Sequence, residues 1–437
     1  MAMFAVKAKW LVCSYDRVYQ NYGLICDKDQ IHAVLPNAEI DQMHRDGKLT
    51  HVIDRSASIL LPGFVDAHIH LYGVLSHGIP NHVTVHNFEE FLKLYWWPMV
   101  EDRVRKAQVL STARSGAAEL LRSGVTAFCD TLEAPFCEPD TLVEQGRLLE
   151  EIGLRGIVSL ESSQRAGSPN GEDCLAQNVR AARWLKEHAK LVRGAVSTHT
   201  TFTCTSDFVR RAKAMSRRED TLFQFHLSES VYEPSVNPRP TGIYDACGAL
   251  DADTLASQCV QVDAEEIRLL AQKKVKTVHM PLSNCEVGGG IAPVPSMLES
   301  GICVGLGSDG YINDFFTIMK AAFLIHKANE QSAAVMPASL VFRMATEFGA
   351  RCLGYDNLGR LRAGYLADFI VLDDQFLTPV TPENIFDQLV VYGKKEYVSD
   401  VFVNGRQLME SRRLLTLDED TANRQVRETA EKFWEGL

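Results

Sequence analysis

Residues 61–70 read Leu-Pro-Gly-Phe-Val-Asp-Ala-His-Ile-His, an apolar run that ends in His-x-His. In a strand, residues i and i+2 point to the same side, so the imidazoles of His68 and His70 are expected to converge at the strand's C-terminal end. His226 closes a second apolar run, 222–225, and Glu229 follows three residues later. Asp309 follows a third, 301–308, between Gly307 and Gly310, where tight backbone is permitted. Taken singly, each has an ordinary explanation: a polar rim, a satisfied core histidine, a Gly-Ser-Asp-Gly turn. Taken together, three imidazoles and one carboxylate are the donor set of a divalent cation with one position open to water. The set suits zinc and is compatible with iron or manganese. A cation held this way activates water near neutral pH, so the expected chemistry is hydrolysis, with Glu229 within reach of a metal-bound water and Asp309 as both ligand and proton acceptor.

These residues need elements that bring them to one place. Short apolar runs at 59–69, 125–129, 156–160, 194–197, 222–227, 255–260, 276–280 and 302–306 alternate with stretches of helical period, such as 107–123 and 264–274, the latter entered through Asp263. Repeated βα units over about 300 residues, with about eight strands, predict an α/β fold of the (β/α)8 TIM type, whose sites lie at the C-terminal ends of the strands. Both ends of the chain carry β-type runs broken by turns, for example 10–13, 23–26, 368–372 and 401–403. Neither end has enough strands for its own core. The expected organisation is a small β-sandwich assembled from residues 1–60 and 362–437, with residues 61–361 as the barrel.

Composition narrows the partners. With 45 Lys+Arg against 56 Asp+Glu, the formal charge is −11, which disfavours nucleic acid or an anionic membrane as the main partner. A small-molecule substrate is the expectation. The first residues lack the charged leader and apolar core of a secretory signal, and no apolar stretch reaches the ~18 residues of a membrane span. Eleven cysteines without a C-x-x-C pair read as reduced thiols in a cytoplasmic protein.

The motifs, in order and spacing, resemble the amidohydrolase superfamily, in its branch of methylthioadenosine/S-adenosylhomocysteine deaminases and triazine chlorohydrolases. The resemblance spans nearly the whole chain: L-P-G-F-V-D-A-H-I-H at 61–70, H-L-S-E-S at 226–230, H-M-P-L-S-N at 279–284, G-L-G-S-D-G at 305–310 and L-G-R-L-R-A-G-Y-L-A-D-F-I-V-L at 358–372. It implies a barrel with a terminal β-sandwich, and one metal held by His68, His70, His226 and Asp309. It also implies Glu229 as the proton shuttle. Two-metal relatives use a carboxylated lysine on a middle strand, and the strand ends at 158–161 and 196–199 offer none. His199 matches a substrate-contacting histidine, and Trp96 and Trp97 stand where relatives place a helix near the substrate, with Trp97 placed to stack on a planar ring. Gln258 occupies the position of a family histidine that steadies the attacking hydroxide. Glutamine cannot titrate near neutral pH. Either His279 takes over that role, the reaction is a variant one, or activity is lost. The resemblance therefore points to hydrolysis of non-peptide C–N bonds in a small nitrogen-rich heterocycle, by deamination or amidine/guanidine hydrolysis. Its alternatives are a triazine-type chlorohydrolase and a non-catalytic binding member, and a homo-oligomer is compatible with it. The loop histidines His77, His82 and His86 are expected as loop polar groups rather than ligands, with lining of the pocket as the alternative.

Overall fold

A computed structural model describes residues 3–437. Eight parallel strands close into a barrel: Phe64–Ile69, Val125–Leu132, Arg155–Ser162, Val196–Thr198, Phe223–Leu227, Thr254–Gln258, Lys276–His279 and Val304–Leu306, the last pairing back onto the first through Leu306 and Asp66. A short strand, Val192–Gly194, precedes the fourth and pairs with the third. All eight are buried on both faces, which is why their sequences read as continuous apolar runs. Side chains alternate between two clusters. Val65, Ala67, Ala127, Cys129, Ile157, Ala195, Leu255 and Val278 fill the interior. Phe64, Phe128, Val158, Phe223, Phe225 and Leu306 belong to the apolar layer under the surrounding helices.

The expected helices form. Lys106–Arg122 and Ala264–Gln272 match the predicted stretches, and Asp263 caps the second by accepting from the backbone N–H groups of Glu265 and Glu266. The C-terminal helix Glu419–Trp434 lies against Lys106–Arg122, tied by the Arg122–Glu419 ion pair and by Thr429 Oγ1 donating to Ser111 Oγ at 3.0 Å. No described helix is long and apolar enough to cross a membrane, and all eleven cysteines are free.

Strands from the two ends assemble in one mixed nine-stranded sheet. The long strand His51–Pro62 pairs in parallel with Met3–Ser14 and antiparallel with Phe369–Leu372, so it joins the N-terminal strands to the C-terminal ones. The same chain then enters the barrel at Phe64. A buried ion pair locks sheet to barrel: Arg155, first residue of the third barrel strand, donates to Asp368 from Nε at 2.8 Å and from Nη2 at 3.0 Å. Asp368 also accepts from the Asn404 backbone N–H at 2.7 Å, and Arg155 donates to Asn404 Oδ1 at 2.9 Å.

Removing one partner of such a pair strands a buried charge. Asp368→Ala is expected to lower unfolding free energy by about 3–5 kcal/mol, read as a shift in the urea midpoint. An Arg155→Met/Asp368→Leu double variant, which removes both charges, should cost less than either single change.

Candidate functional site

The first barrel strand carries His68 and His70, and its register against the second slips between Asp66 and Ile69. Val65 and Ala67 point into the interior while Ile69 joins the outer layer. The bulge changes the parity of the strand, so both histidines face the barrel mouth. His70 Nδ1 donates to the Thr131 carbonyl at 2.6 Å, which leaves Nε2 with its lone pair exposed to the mouth. The Nε2 atoms of His68 and His70 stand 3.3 Å apart, and each is close to Asp309 Oδ1, at 3.1 and 3.2 Å. His226, on the fifth strand, places its ring 4.9 Å from His68 and 5.5 Å from His70, centroid to centroid. One donor atom from each of the four residues lies within 4.8 Å of the others.

Asp309 reaches this place through a left-handed backbone turn, with φ of 61°. Gly310 must follow it, because a Cβ there would sit 2.3 Å from the His70 carbonyl oxygen. Asp309 Oδ2 accepts from Ser283 Oγ at 2.7 Å and from Gln258 Nε2 at 3.1 Å, while Oδ1 has no hydrogen-bond donor. Imidazole lone pairs and an unpartnered carboxylate oxygen crowded this closely repel one another in a buried place. A divalent cation among them removes that repulsion, and the donor chemistry fits one.

Around the cluster lies a cavity of ≈ 170 Å³. Glu229 lines it, and burial together with the negative charge of Asp309 pushes its carboxyl well above the usual range. His199 also lines it, with Nδ1 2.9 Å from Thr203 Oγ1, and burial pushes the imidazole down to about 4. Gln258 contributes too. Its side chain is fixed between Asp309 and Asn284, whose amide donates to Gln258 Oε1. His77 reaches the cavity edge and contacts the Gly310 carbonyl at 2.9 Å, whereas His82 and His86 are exposed in their loop.

Two expected residues lie elsewhere. Val278 points into the barrel, so His279 points out, where its Nε2 meets His326 Nε2 at 3.1 Å under the helix Phe315–Asn329. It is not brought to the cavity and does not stand in for the histidine that Gln258 replaces. Trp97 lies under Arg165, whose guanidinium carbon is 5.0 Å from the ring, and lines a separate crevice. Trp96 takes the cavity wall, with Nε1 3.4 Å from Glu133 Oε2. The turn Phe91–Trp96 is π-helical, and its extra residue per turn sets which tryptophan faces inward.

Sequence reasoning missed three acids. Glu133, one residue past the second barrel strand, brings Oε1 to 4.0 Å from His70 Nε2 and 3.9 Å from His226 Nε2, and Tyr72 donates to its other oxygen. Burial works to raise its carboxyl, but its position beside the imidazoles of His70 and His226 prevails and holds it well below the usual range. Glu161, on the third strand, has Oε2 3.4 Å from His226 Nδ1, and neither atom has a hydrogen-bond partner. Glu161, His199 and His226 form a second compact donor group that shares His226 with the first. Glu101 pairs with Arg165. Burial and the neighbouring Glu133 push both Glu101 and Glu161 well above the usual range. Checking the residue just past the end of every predicted strand finds Glu161, after 156–160, but not Glu133, because the second strand runs on from the predicted 129 to Leu132. Nothing local marks Glu101.

A family model described as "Amidohydrolase family" matches residues 59–408. The chain is 33% identical over 404 residues to a 5-methylthioadenosine/S-adenosylhomocysteine deaminase of Syntrophus aciditrophicus, covering 89% of this chain and 88% of that one. A zinc-bound adenosine deaminase structure from Xanthomonas campestris superposes with a TM-score of 0.89 at 21% identity, covering 99% of this chain and 98% of the other. A zinc complex of an atrazine chlorohydrolase from Arthrobacter aurescens gives 0.84 at 20% identity, covering 98% and 100%.

Asp309→Ala and His226→Ala are each expected to reduce metal content, measured by plasma mass spectrometry, from one ion per chain to background. The wild type should gain about 2.7 kcal/mol when free metal exceeds Kd a hundredfold, and the variants should gain none.

The His279–His326 pair yields a pH dependence. Burial pushes His326 down to about 4 and His279 well below its ordinary value, against roughly 6.5 in the unfolded chain. Below that value the unfolded chain binds protons that the folded one refuses, so stability present above about pH 6.5 is lost as pH falls toward 4. Urea midpoints between pH 7 and pH 4 should show this loss, and His326→Gln should make it shallower.

Proposed function

The chain belongs to the amidohydrolase family, and we propose that it is a deaminase-type hydrolase of a small nitrogen-rich heterocycle, with its machinery at the barrel mouth. It is a metal-dependent hydrolase acting on C–N bonds other than peptide bonds, and its cofactor is one divalent ion of which zinc is the best candidate. His68, His70, His226 and Asp309 would hold that ion. The observation that carries the reading is the convergence of these four donors in the same cavity as Glu229.

When bound, the cation supplies Lewis acidity that brings a water's pKa from about 15.7 toward about 7. The remaining chemistry belongs to the chain. Asp309 accepts a proton from the attacking water, and the donors Ser283 and Gln258 hold its Oδ2 in place. Glu229, kept protonated by burial beside Asp309, donates to the departing nitrogen, because an amide anion is too basic to leave by itself. This protonated carboxyl favours a nitrogen leaving group over chloride, whose departure needs no proton. His199 closes the wall as a neutral hydrogen-bonding group, and Gln258 fills its position as a fixed donor rather than as a titrating base. A complete donor set with Glu229 beside it favours catalysis over a binding-only role.

The substrate is a small molecule. The acidic balance of the chain offers no case for nucleic acid, and eleven free thiols fit the cytoplasm.

Glu229→Gln is expected to keep the metal and lower kcat for ammonia release by about 10²–10⁴-fold, with KM little changed. A variant with full activity would remove Glu229 from the mechanism.

A further inference from the structure

The opposite end of the barrel holds a second, larger cavity. It opens between the C-terminal halves of the helices Ser168–His188 and Ser206–Glu219, beneath the feet of the barrel strands. Its volume is ≈ 590 Å³, within the roughly 300–1,000 Å³ of small-molecule sites. Ile157, Leu185, Val192, Leu222 and Leu353 give it an apolar floor. Leu222 leads into the strand Phe223–Leu227 and precedes His226 by four residues, so roughly 13 Å separates this floor from the metal donors.

The chain as a whole is acidic, but this cavity is basic. Six cations line it, Lys186, Lys190, Arg193, Lys213, Arg217 and Lys276, against three acids, Glu219, Asp220 and Asp253. Glu219 is already taken by Arg183 and Arg218, each at 2.8 Å and neither part of the lining. Asp220 is exposed and comes only to 3.9 Å from Lys186. Asp251, just outside, answers Lys213 at 2.6 Å and Arg217 at 2.9 Å. Lys186 and Arg217 also stand in last helical turns, where they offset the negative helix ends. Lys190, Arg193 and Lys276 belong to no helix and make no ion pair among the described residues, with only Asp253 unpaired against them. Arg193 rests over the Tyr355 ring at 4.3 Å, which fixes its guanidinium without neutralising it. Lys213 adds a donor from within. Its side chain is 1% exposed, and two of its N–H groups go to Asp251 Oδ1 and Thr254 Oγ1, which leaves one without an oxygen partner.

We propose that this cavity binds a small organic phosphate ester, with the phosphate among Lys190, Arg193 and Lys276 and the apolar part on the floor. A guanidinium fork pairs with two phosphate oxygens, and the lysines add point charges. A phosphate monoester carries close to two negative charges at neutral pH, which matches three unpaired cations better than a single carboxylate does. None of these residues belongs to the barrel mouth, so the site stands apart from the hydrolytic reading.

Phenyl phosphate, inorganic phosphate and phenol separate the two halves of the claim. Calorimetry on the metal-loaded enzyme should show phenyl phosphate bound about tenfold tighter than either of the others. The metal centre can itself hold a phosphate oxygen, so the same titration is run on folded enzyme stripped by a chelator, where the affinity should persist. A Lys276→Gln/Arg193→Gln variant should bind phenyl phosphate about tenfold more weakly than the wild type, in the stripped state as well, with its metal content unchanged. Four results overturn the proposal. They are undetectable binding by the wild type, loss of binding on stripping, equal affinity for inorganic phosphate, and a double variant that binds as the wild type does. The first three stand even where the variant fails to fold.

Discussion

Unscreened lone pairs govern this structure. Two imidazole nitrogens 3.3 Å apart and a carboxylate oxygen about as near to each, with a third imidazole beside them, form an arrangement that isolated side chains avoid. It persists because every participant is held from behind. Thr131 takes the proton of His70, and Ser283 and Gln258 hold the far oxygen of Asp309. The Gly310 turn lets the backbone approach His70. Groups preorganised in this way bind a cation without further rearrangement, and the cation removes the electrostatic cost of assembling them.

The acids beside the cluster follow from the same constraint. Glu133 lies beside the imidazoles of His70 and His226, and its charge bears on Glu161 and Glu101, which resist ionising in turn. Arg165 answers only part of that charge. The cavity lining thus joins Glu101 and Glu133 to the aromatic side chains of Phe88, Phe91, Tyr95 and Trp96.

The sequence made the donors legible where chemistry and period coincide. His-x-His at a strand end, a histidine closing an apolar strand and an aspartate between glycines could be placed because each sits at a strand terminus, and terminus order in a barrel is sequence order. The same rule misassigned the direction of His279. His279 also ends a strand, but Val278 takes the inward position, so the next side chain must face the helices. Trp97 was expected near the substrate from the resemblance, but Trp96 lines the cavity, at the end of a π-helical turn.

What the sequence by itself determined is the kind of fold and the identity and order of the metal-holding groups, since these depend on local alternation and on residue type. Only the tertiary structure decided which acids surround them and which aromatic ring faces the cavity. Glu101, Glu133 and Glu161 lie in separate βα units, and only closure of the barrel brings them together. The bulge before His70 and the wide turn before Trp97 each shift a side chain by one face, and a one-residue shift leaves composition and hydrophobic pattern unchanged.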